Sequence, residues 1–68
     1  MDIEKEILDT QQSIAKVAAK IEKLEIASSN ASTPEQARIQ AEIARLQDEK
    51  IELQGQLKEW IKRLPLSK

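Results

Sequence analysis

A chain of 68 residues has room for one small domain, and its 34% charged and 40% hydrophobic residues, with one glycine and one aromatic, form the composition of a long-helix protein. Cysteine and histidine are both absent, which excludes a disulfide framework and thiolate or imidazole metal sites, and removes the commonest catalytic base. A formal net charge of -1 lacks the basic surplus of a general nucleic-acid binder. No apolar run approaches a membrane span, and the acidic start Met1-Asp-Ile-Glu-Lys-Glu6 differs from a signal or transit peptide. The expectation is a soluble, cytoplasmic protein.

In the first half the steps between seam residues alternate four and three without a slip: Ile3, Ile7, Thr10, Ile14, Val17, Ile21, Leu24, Ser28. That is the heptad of a coiled coil or bundle, and it predicts a helix over about 2–28. Leu8, Ala15, Ala18 and Ala27 widen the apolar face beyond what one neighbouring helix requires, while Ile26 falls outside the stripe. Asp2, Glu4, Glu6 and Asp9 crowd the start and Lys16, Lys20 and Lys23 come later, the order that the helix dipole prefers. The three lysines also fit a phosphate patch, but Glu22 and Glu25 interrupt them, and a solvated helix face accounts for them more simply.

The pattern breaks over about 29–33. Ser28, Ser29, Asn30 and Ser32 compete for backbone hydrogen bonds, and Asn30 is the residue expected to turn left-handed after the helix. Pro34 suits a first helical position. Thr33 is then the expected N-cap, with Gln36 as the far member of a capping box and Glu35 placed well for the dipole.

A second helix is predicted over about 34–64, with its own seam of Ile39, Ile43, Leu46, Lys50, Leu53, Leu57, Trp60 and Leu64. Pro65 ends it and leaves a short tail, 65–68. Folding the chain back at Asn30 brings Asp2, Glu4 and Glu6 toward Lys58, Lys62 and Arg63, and sets Lys16 and Lys20 level with Glu49 and Glu42. The same fold places the seam's two defects, Thr10 and Lys50, at about one height as a polar layer that specifies register or oligomeric state. Asp9, Gln11 or a partner's Glu6 would then receive the Lys50 ammonium; in the competing arrangement Lys50 reaches outward and Ile51 turns in. Gly55 costs about 1 kcal/mol relative to alanine inside a helix, and would be explained by close approach of another backbone near Ile7. Trp60, Leu57, Ile61, Leu64 and Leu66 form the densest apolar cluster, partly covered by Met1 and Ile3, and serve either as core or as an anchor for a partner.

These elements make an all-α, antiparallel helical hairpin occupying 1–68. A lone hairpin leaves half of each apolar face wet, so the expected assembly is a homodimer forming a four-helix bundle. Its core and interface seam comprises Ile7, Ile14, Val17, Ile21, Leu24, Ile39, Ile43, Leu46, Leu53, Leu57, Trp60 and Leu64, with Thr10 and Lys50 as the polar layer. No catalytic, cofactor-binding or metal-binding residue is assigned: no nucleophile has a base beside it, no glycine-rich loop cradles phosphate, and no carboxylates form a metal motif. The functional expectation is a protein–protein interaction module acting as a small oligomeric adaptor, assembly chaperone or inhibitor, with a protein partner and no membrane.

In architecture such a hairpin dimer resembles the Rom-type plasmid regulators, which bind paired RNA loops across one face of a four-helix bundle. That resemblance implies an alternative, an RNA-binding regulator, against which the net acidity stands. The general form is also similar to small helical-hairpin chaperones of type III secretion. Ile7-Leu-Asp-Thr-Gln11 resembles a phrase in a phage tail-fibre assembly chaperone, a five-residue likeness that assigns no family.

Overall fold

A computed structural model describes residues 2–64, which form an all-α helical hairpin. Helix α1 spans Ile3–Ser29 and helix α2 spans Thr33–Arg63, packed against each other along their length. The expectations for Met1, Pro65, Leu66 and the tail fall outside the described residues.

Helix α1 starts where its chemistry allows. Asp2 is extended, and its carboxylate accepts a hydrogen bond from the Lys5 backbone N–H at 3.3 Å, satisfying one of the amides that a first turn leaves free. Its end differs from the expected left-handed turn. Asn30 sits at φ -106 and ψ 1, and no described non-glycine residue has positive φ. The helix tightens instead, with Asn30 N–H donating to Ala27 O and Ala31 N–H to Ser28 O, both at 3.2 Å. Ser29 Oγ and Asn30 Nδ2 both donate to Ile26 O, at 2.8 and 3.3 Å. Side chains thereby cover a carbonyl that a left-handed cap would otherwise serve.

Helix α2 begins one residue earlier than expected. Ser32, not Thr33, is the N-cap, and Pro34 lies one position further into the first turn. The Ser32 hydroxyl donates to the Glu35 carboxylate at 3.2 Å and makes no bond to a backbone amide. Gln36 leaves the capping box altogether, because its side chain is drawn across to the other helix. At the far end Leu64 takes φ -61 and ψ 136, the extended backbone that a following proline imposes.

The contact between the helices follows the heptads. With the seam written as positions a and d, every a and d residue from Ile3 to Ser28 and from Gln36 to Leu64 is buried or half-buried. Outside the seam only Glu6, Ala18 and Ala31 share that status among the described residues. The buried aliphatic core is small: Val17, Ile21 and Ile43, with Leu24, Ile39, Leu46 and Leu53 packed on it. The reason is geometric, since two cylinders touch along a line and each seam side chain has protein on one side only.

Candidate functional site

Register is set at the loop end by hydrogen bonds between the helices. Ser28 is buried at the last seam position of α1. Its carbonyl accepts from Gln36 Nε2 at 2.9 Å, and its hydroxyl oxygen accepts from Gln40 Nε2 at 3.1 Å. Sequence reasoning missed this clasp, although the signal was there: Gln36 lies one heptad step before Ile39 and Ile43. A three-residue connection leaves the two seams no room to slide, and the clasp satisfies polar atoms that the contact buries.

The two seam defects, Thr10 and Lys50, settle their polar groups separately. Thr10 is buried and self-sufficient, its hydroxyl donating to the Glu6 carbonyl at 2.8 Å within its own helix. Lys50 is half-buried in the seam, whereas Ile51 is 64% exposed, so the arrangement with Ile51 turned in is not the one adopted. Neither Asp9 nor Gln11 receives the Lys50 ammonium, and no described buried side-chain nitrogen or oxygen lacks a partner. The lysine stem packs while its charge meets solvent.

The expected ion pairs between helices are likewise not formed among the described residues. The pairs present are Arg45–Glu42 at 3.9 Å and Lys62–Glu59 at 3.8 Å, both within α2. Lys20 and Lys23 of α1 do line one groove of about 310 Å³ with Glu42, Leu24 and Leu46 of α2, so the facing is as expected while the contact is not. Exposed ammonium and carboxylate groups gain little from touching in water and lose side-chain freedom by doing so.

The interface residues assigned from sequence fall as follows. Val17, Ile21 and Ile43 are buried; Ile7, Ile14, Leu24, Ile39, Leu46, Leu53, Leu57, Trp60 and Leu64 are half-buried. Trp60 lies at the open end in a shallow groove with Gln56, Glu59 and Arg63, and the Arg63 guanidinium stands over its ring at 5.3 Å. Gly55 faces outward, and a Cβ built there would meet nothing within 4 Å, so close backbone approach within the hairpin does not explain it.

The two flanks of the contact differ sharply. One, at positions c and g, carries Glu6, Asp9, Lys16, Lys20 and Lys23 of α1 with Arg38, Glu42, Arg45, Glu49, Glu52, Glu59 and Arg63 of α2. The other, at b and e, has no charged residue from Leu8 to Ala18 on α1 or from Ala37 to Gln54 on α2. Leu8, Ala15 and Ala18 belong to this neutral flank, whereas Ala27 lies on the charged one and Ile26 points away from both. No group of His, Cys, Asp or Glu among the described residues could hold a metal ion, and no described helix is long and apolar enough to cross a membrane.

No protein-family model matches the chain, and neither the curated proteins nor the solved structures contain a significant match to it.

Proposed function

We propose that this chain is a cytoplasmic, non-enzymatic interaction module that works as a homodimer, its paired hairpins forming a four-helix bundle that serves as an adaptor, assembly chaperone or inhibitor. One observation carries the reading: the hairpin is far more open than a compact chain of its size. Its accessible surface is 5486 Å², against about 4,300 Å² for a compact chain of this mass. The radius of gyration is 15.9 Å, where a compact chain of this length has about 11 Å. The surplus, roughly 1,200 Å², exceeds the ~800 Å² that each partner contributes to a standard interface. Leu8, Ile26, Ile51 and Ile61 stand about half exposed or more, while among the described residues three aliphatic side chains are buried.

The RNA-binding alternative lacks comparable support. Lys20 and Lys23 share their groove with Glu42, and Arg45 is paired with that same glutamate, so the lysine row is not an open cationic track.

The test is light scattering on a sizing column, with circular dichroism across a dilution series. The expected result is a helical dimer whose helicity falls on dilution. A fully helical monomer at every concentration refutes self-association. A poorly helical monomer refutes it as well, and assigns completion of the seam to a different protein.

A further inference from the structure

We propose that the second copy docks on the neutral flank, the surface that carries Leu8, Ala15, Ala18, Ala44, Ile51 and Ile61. The inference rests on the dimer reading above and specifies which face makes it. Three of the four large exposed apolar side chains lie here: Leu8 at 53%, Ile51 at 64% and Ile61 at 49%. Between them sit alanines, whose small side chains leave hollows that a leucine or isoleucine from a facing helix fills.

Charge decides the occupant. At its b and e positions this flank has no acid or base from Leu8 to Ala18 or from Ala37 to Gln54, and its charges, Glu4, Glu22, Glu25 and Lys58, lie outside those runs, so an identical surface brought against its neutral centre meets no like charge there. The polar residues interleaved there are amides, Gln11, Gln47 and Gln54, and an amide both donates and accepts, so it can pair with a copy of itself. A two-fold interface demands that kind of self-complementarity. A strongly charged partner would find nothing to answer it at that neutral centre. The charged flank is unsuited to the same role, because desolvating so many carboxylates and cations on both copies opposes association. The size allows it, since the surplus surface of the whole hairpin exceeds what one side of a standard dimer covers.

The test compares unmodified protein, Ile51→Glu and Ile26→Glu by sedimentation over a dilution series. Ile51 and Ile26 are matched in side chain and nearly in exposure, 64% against 61%, but lie on different faces. Ile51→Glu is expected to weaken the dimer at least about a hundredfold, because the carboxylate would have to be buried without a partner. Ile26→Glu is expected to change affinity by less than about threefold. If the unmodified chain never dimerises, the dimer reading fails and this proposal with it. If it dimerises and Ile51→Glu leaves affinity unchanged, or both variants weaken it equally, the dimer stands and the assignment of this flank is overturned. Should Ile51→Glu lose its helical structure, the unmodified dimer gives the answer by methyl NMR with a soluble paramagnetic probe. Leu8 and Ile51 methyls shielded relative to Ile26 support the proposal, and equal accessibility refutes it.

Discussion

Replacing Lys50 with leucine isolates the effect of a charged residue in an apolar seam. Lysine and leucine have nearly equal helix propensity, so the backbone term cancels. Lys50 is half-buried in the seam, and its ammonium has no ion-pair partner among the described residues, so no pair is broken by the change. Full burial of a leucine side chain contributes about 1.5–3 kcal/mol relative to exposure, and half of that is about 0.8–1.5 kcal/mol. The lysine stem already supplies part of this packing, which brings the expected gain to about 0.5–1 kcal/mol. At about 4–8 °C per kcal/mol for a domain of this size, the thermal midpoint should rise by about 2–8 °C. The assay is a circular-dichroism melt of both proteins at one matched concentration, because the proposed association would make the midpoint concentration-dependent. An unchanged or lower midpoint would refute the argument: it would mean that the ammonium makes a favourable contact in the assembled protein that the hairpin by itself lacks.

Gly55→Ala should stabilise by about 1 kcal/mol, since the added Cβ meets open space and alanine is the better helix former; a melt that moves downward would show that another chain's backbone comes close there. Gln40→Ala should cost about 1–3 kcal/mol, because it leaves the buried Ser28 hydroxyl without its donor, while Ser28→Ala, which removes that hydroxyl and leaves the exposed Gln40 amide to water, should cost less; urea denaturation of the pair checks the order. Trp60→Ala should lower stability by about 1.5–2.5 kcal/mol, half the usual cost of deleting a fully buried tryptophan, because Trp60 is only half-buried in the hairpin. A dilution series separates its two roles: a loss confined to folding makes Trp60 core, whereas weakened association at matched helicity makes it part of the interface.

Much of this fold is legible without coordinates because a heptad is a local record of a distant contact. The alternation of four and three from Ile3 to Ser28, and again from Ile39 to Leu64, marks the residues that the hairpin covers. Pro34 and the serine-rich segment before it mark the place where one helix gives way to another. The details of that junction were less legible. Ser32 and Thr33 can each cap a helix, and the choice between them went with Gln36, which the seam claims for a bond to Ser28.

The helices, their seams and the polar character of the turn are thus determined by the sequence itself, since backbone propensity and side-chain periodicity act over a few residues. What the tertiary structure alone decided is how the side chains at the edges were resolved. It placed Lys50 in the seam with Ile51 outside, kept Thr10 bonded within its own helix, turned Gly55 to open space, and left the facing charges of Lys20 and Glu42 unjoined. Each of these turns on a balance between packing and hydration that differs by a kcal/mol or so between neighbouring positions, and only the shape of the assembled pair of helices sets it.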